Sequence, residues 1–188
     1  MQLVKSSLVI LWMFFAQSEN AISKIMPIEF CDLVKSSELV VLVDVVEYEV
    51  KGKGQTGHAR ARISKVVRGK TKNEDIEIHF QGYGITHKGE WLLFLNKSKK
   101  KTGAVYTAGM GLFSFWPVEQ ASSDKNSCCD QVTLLNYPID HIKIESGLID
   151  QFSVKQQTAK GVKFTKPQSG ISIQKLINRL ATNKCNDR

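Results

Sequence analysis

Residues 38–50 read as one long strand whose two halves follow different rules. Leu39, Val40, Val41, Leu42 and Val43 are apolar on both parities, the pattern of a strand covered on two faces. Val46, Tyr48 and Val50 instead alternate with Glu47 and Glu49, the pattern of a strand covered on one. A strand enclosed on both sides demands a layered or closed sheet, and the next segments supply one. In residues 58–68, Ala59, Ala61 and Ile63 share a face while Val66 falls on the other parity, which predicts a bulge near Ser64 or Lys65. Ile76, Ile78 and Phe80 alternate cleanly with Glu77 and His79, and the unbroken run Trp91, Leu92, Leu93, Phe94 and Leu95 reads as a central strand. Residues 104–108 and 112–116 predict two further short strands, Pro117 ending the second. Glycines at 52, 54 and 57, and again at 82 and 84, mark the connections.

Helical periodicity is confined to the flanks. Ile28, Phe30, Leu33 and Val34 suit a short helix begun after Pro27, and Ser172 stands where it can cap a second that places Ile173, Leu176, Ile177 and Leu180 on one face, with Lys175 and Arg179 outside. Residues 119–126 are polar and loop-like, and 133–160 carry little pattern beyond a short strand at 139–144. The expectation is a mainly β chain: a small antiparallel barrel of five or six strands with short flanking helices, of the five-stranded OB type.

The first residues carry another signal. Lys5 precedes an unbroken apolar run over 8–16, and small residues follow at Ala16 and Ser18, the three parts of a secretory signal. Cleavage is expected after residue 18, or as late as 23 at the second small-residue site of Ala21 and Ser23. Nine apolar residues are too few to span a hydrocarbon core, which takes about 20, and no cysteine stands directly behind the run to take a lipid. Residues 24–188 are therefore expected to form one exported domain, secreted or periplasmic, with no membrane span in the mature chain.

Export changes the meaning of the cysteines. Cys31, Cys128, Cys129 and Cys185 all follow the signal, and in an oxidising compartment an even count implies bridges. Neighbours 128 and 129 joined to each other would close a strained ring, so the favoured pairing takes one of them to Cys31 and the other to Cys185. The formal charge of +8 suits acidic surfaces, and its densest cluster, Lys97, Lys99, Lys100 and Lys101, is either a solvated hairpin tip or an anion-binding loop. No arginine-rich or aromatic-interleaved tract marks a nucleic-acid partner.

Ser37-Glu38-Leu39-Val40-Val41-Leu42-Val43, then Ile63-Ser64-Lys65-Val66-Val67-Arg68-Gly69-Lys70, then Gly89-Glu90-Trp91-Leu92-Leu93-Phe94-Leu95 resemble the strand and turn patterns of bacterial exported domains with the OB-like fold of tissue inhibitors of metalloproteinases and netrin modules. Gly170-Ile171-Ser172-Ile173-Gln174-Lys175-Leu176-Ile177 is similar to their closing helix. The resemblance implies the fold. It does not extend to the inhibitory grip, which uses a cysteine at the mature N-terminus, because about a dozen residues separate Cys31 from the favoured cleavage site. Val43 also replaces the glycine that the pattern usually carries.

No reactive constellation emerges. Cys128, Cys129, Asp130 and His141 are close in sequence, but a thiol nucleophile needs a positioned base and a zinc site needs ordered ligand spacing. His58, His79 and His87 share no metal-binding motif, and Gly82-Tyr83-Gly84 is a turn rather than a phosphate loop. Tyr83, Trp91, Phe113, Phe115 and Trp116 suit core packing better than a ligand platform. The sequence names no catalytic residue, metal ligand or cofactor. It points to a non-catalytic binding module for another envelope or extracellular protein. A loop-based proteinase inhibitor is the second reading, and a cysteine- or metal-dependent enzyme the third.

Overall fold

A computed structural model describes residues 27–52, 56–82, 84–99, 103–122, 130–135, 139–158, 161–182 and 185. The expected signal segment, Tyr83, Lys100, Lys101, Cys128 and Cys129 lie outside them. The described chain opens with a two-residue strand β1 (Ile28–Glu29), which pairs in parallel with a later one, and helix α1 (Phe30–Lys35). Strands β2 (Leu39–Lys51), β3 (Thr56–Arg68), β4 (Asp75–Gln81), β5 (Gly89–Lys97) and β6 (Val105–Ala108) follow. They close in the order β2-β3-β4-β6-β5 and back to β2, every pairing antiparallel except β4 with β6. That order and that one parallel contact make it an OB-like closed barrel, as the strand pattern predicts.

The barrel interior is filled from alternate positions: Val41, Val43, Val45, Ala59, Ala61, Ile76, Ile78, Phe80, Trp91, Leu93 and Leu95 are all buried together. The other parity of β2 and β5 contributes Val40, Leu42, Leu92 and Phe94 to a second core outside the barrel wall. Two-sided burial of residues 39–43 therefore has a concrete cause, since helices and a second sheet cover that wall. The bulge predicted near Ser64 is present as a register shift: Leu42 faces Lys65 and Val43 faces Ile63, leaving Ser64 extra. A second shift leaves Val67 extra, and a third leaves Val46 extra on β2. The last one corrects the reading of β2. The bulge at Val46 resets the parity, so Val45 rather than Val46 packs inward, and Tyr48 and Val50 run out past the barrel 40% exposed.

After the barrel the chain departs further from expectation. Residues 112–116 are not a strand: Gly111–Ser114 is a 3-10 turn and only β7 (Phe115–Pro117) pairs, with β5. Buried Ser114 holds the turn by accepting from the Met110 N–H at 2.7 Å, and Trp116 Nε1 donates to the Phe113 carbonyl at 2.8 Å. The polar stretch after Val118 begins as strand β8 (Glu119–Ser122), followed by β9 (Asp130–Leu134). The strand expected at 139–144 is a 3-10 turn (Ile139–His141) and the two-residue β10 (Ile142–Lys143), partner of β1. Then come β11 (Ile149–Thr158), β12 (Gly161–Phe164), β13 (Gln168–Ser172) and helix α2 (Ile173–Ala181).

Strands β8, β9, β13 and β11 pair in a ring of their own around Ala121, Val132, Leu134 and Phe152, with β12 as an outer edge. Helix α2 presents Ile173, Leu176 and Leu180 to the core outside the barrel, as its periodicity predicts. Arg179 differs from expectation: its side chain is only 12% exposed and is held by Glu145.

The cysteine pairing is corrected as well. Cys31 in α1 bonds Cys185 directly, with Cα atoms 5.1 Å apart. Neither is left for the adjacent pair, because α1 packs against the same core as α2 and so brings Cys31 and Cys185 together.

Candidate binding face of the barrel

One side of the barrel is sealed and the other is open. On the sealed side, Phe30 of α1 lies 6.4 Å edge-on to Phe94 and 6.1 Å from Trp116, ring centre to ring centre, and α2 completes the cover. Asn96 ties α1 down by accepting from the Glu38 N–H and donating to the Ser36 carbonyl, both at 2.9 Å, and Arg68 Nη1 donates to the Val34 carbonyl.

The open side is the outer face of β3 and β4 with the adjoining part of β2. Alternation puts Ala59 and Ala61 inward, which turns His58, Arg60 and Arg62 outward. Cross-strand register then assembles three rows: Glu49, His58 and His79; Glu47, Arg60 and Glu77; Asp44, Arg62 and Asp75. Arg60 Nη2 reaches Glu47 Oε1 at 2.9 Å, Arg62 Nε reaches Asp75 Oδ1 at 3.5 Å, and His58 Nε2 lies 3.5 Å from Glu49 Oε2. His79 Nε2 contacts Glu77 Oε1 within its own strand. The imidazoles of His58 and His79, directly opposite in the ladder, lie 6.2 Å apart and nearly parallel.

Two shallow hollows open along this face. One of about 540 Å³ is lined by Glu47, His58, Arg60, Asp75, Glu77 and Val105; the other, of about 370 Å³, by Thr56, Gly57, His79, Phe80, Gln81 and Thr107. Gly57 is required there, because a Cβ would fall 2.4 Å from the Phe80 ring.

Among the described residues no three His, Cys, Asp or Glu side chains are placed to hold a metal. His87 lies tilted against Trp91 with ring centres 4.7 Å apart, and His141 lies 3.8 Å from Asp140. Trp91, Phe115 and Trp116 are buried and Phe113 packs against the core, so these aromatics are structural. Lys97 and Lys99 are exposed at the connection between the antiparallel β5 and β6.

A smaller hollow of about 220 Å³ lies beside the disulfide, lined by Glu29, Cys31, Lys35, Lys143, Arg179 and Cys185. Arg179 has its pKa raised by its hydrogen bonds to Glu145, against the opposing effect of burial.

The polar parity of residues 58–62 was legible in the sequence; its acidic partners on β2 and β4 are set by register and were not. Compared with known protein families, curated proteins and solved structures, the chain matches none. No described helix is long and apolar enough to cross a membrane.

Proposed function

We propose that this chain is an exported, non-catalytic binding module whose open barrel face contacts another protein of the envelope or extracellular space. The observation that carries this is the asymmetry of the barrel: one wall is sealed by helices and a second sheet, while the opposite wall keeps three polar rows, two of them of mixed charge, and a hollow of about 540 Å³ exposed. OB barrels use the equivalent face to bind ligands. Opposite charges within the row of Glu47, Arg60 and Glu77 and the row of Asp44, Arg62 and Asp75 favour a protein surface over a polyanion, which would select a uniformly basic face. Export is supported by the signal pattern of residues 1–23 and by the Cys31–Cys185 bond.

The resemblance to metalloproteinase-inhibitor and netrin modules is proposed at the level of the fold. The inhibitory grip is not, because Cys31 lies inside α1 and is bonded to Cys185. A photo-crosslinking side chain placed at Arg60, with one at exposed Gln174 on α2 as the control, tests the reading in the native host. A discrete heavier species from position 60 and none from position 174 is expected. No adduct at position 60, or the same set at both, overturns it.

A further inference from the structure

Strand β2 outruns its neighbour. Its pairing with β5 ends at Val45 opposite Gly89, whose φ of 116° turns the chain away, while its pairing with β3 continues to Lys51. Among the described residues no strand pairs with the other edge of residues 46–51, and no further backbone hydrogen bond reaches them. An unpaired edge of this length is a template for another strand. It also holds Tyr48 and Val50, two of the three large apolar side chains exposed among the described residues.

The side chains on this edge are complementary to themselves. Register with β3 puts Tyr48 and Val50 on one face, opposite Ala59 and Gly57, and Glu47, Glu49 and Lys51 on the other. In a two-fold antiparallel pairing, opposed residues share a face, so only registers centred on a residue are allowed. Centred on Tyr48, Glu47 of each copy meets Glu49 of the other, two like-charge contacts. Centred on Glu49, Glu47 meets Lys51 twice and Tyr48 meets Val50 twice, with Glu49 opposite itself as the one unfavourable contact and each Glu49 already beside its own His58. Centred on Val50, the Glu49–Lys51 contacts remain, but Glu47 and Tyr48 run past Lys51, where β2 ends, so only three residues of each copy pair.

We propose that a second copy of this chain docks on the free edge of β2, joining two barrels through an antiparallel pairing of residues 47–51 centred on Glu49. The dimer extends the sheet in its own plane, places Glu47 and Glu49 of the open face at its seam and leaves the outer face of β3 and β4 uncovered. Five paired residues make a small interface, which places the dissociation constant on the order of 0.1 mM.

Sedimentation equilibrium of the mature protein up to about 1 mM, in about 0.15 M salt so that the net positive charge is screened beyond about 8 Å, is expected to show a monomer–dimer equilibrium. K51E and E47K should each weaken it by about tenfold, and the double variant E47K/K51E should restore it to within about threefold. In a C128S/C129S background, E49C should crosslink to itself under mild oxidation faster than V50C, because only position 49 faces its own copy. A wild-type chain that stays monomeric at 1 mM, a double variant no better than K51E, or faster crosslinking at position 50 overturns the proposal. Circular dichroism of each variant confirms that the barrel is intact.

Discussion

Gly69 and Arg179 show how much depends on single positions. Gly69 ends β3 with φ of 86°, and a Cβ there would fall 2.2 Å from the Glu38 carbonyl oxygen, which the barrel cannot move without disturbing the α1–β2 connection. Gly69→Ala combines left-handed backbone with a backbone clash and should cost about 2 kcal/mol, read as a lowered denaturant midpoint. Arg179 is mostly buried, and Glu145 accepts its Nε–H at 3.1 Å; Glu145 itself is half exposed. Glu145→Ala leaves the guanidinium without that carboxylate and should destabilise by about 1–2 kcal/mol, the lower part of the range for charged hydrogen bonds because water reaches one partner. A pKa raised by folding keeps this contribution present below the unfolded arginine pKa, so raising the pH within the neutral range does not remove it.

Among the elements, the strands that alternate cleanly were legible and those governed by bulges or turns were less so. Residues 75–80 and 91–95 fold as their patterns say, because every second side chain, or every one, must leave water. The bulge at Val46 is hidden in the sequence because Val, Tyr and Val at two-residue spacing mimic a buried face; only pairing with β3 reveals the extra residue. Residues 111–114 became a 3-10 turn because Ser114 offers the backbone a local partner, an option that apolar periodicity does not register. Leu92, buried outside the barrel wall, should cost about 2–5 kcal/mol when cut to alanine, measured by urea unfolding. The Cys31–Cys185 bond closes a separation of 154 residues, so Cys31→Ser/Cys185→Ser should lower stability by roughly 2–5 kcal/mol, with a reducing agent having no further effect through this pair.

At the scale of the whole molecule, two cores share one barrel wall, and α1 and α2 meet on its outer core, which joins Cys31 to Cys185. Ending the chain after Ser172 removes Ile173, Leu176 and Leu180 from the core that they share with Val40, Leu42, Leu92 and Phe94. The shortened protein is expected to bind a hydrophobic dye strongly and to aggregate, whereas full-length protein does neither; equal dye binding by both would show that α2 is dispensable as a cover. The sequence by itself determined the β class, the barrel strands, the inward parity of β4 and the two flanking helices, because these follow from local periodicity and the need to bury it. Tertiary structure alone decided the ring formed by β8, β9, β11 and β13, the pairing of Cys31 with Cys185, the charged rows of the open face and the unpaired edge of β2. Each depends on which segments meet across long stretches of chain, and no local pattern encodes register between strands that are distant in sequence.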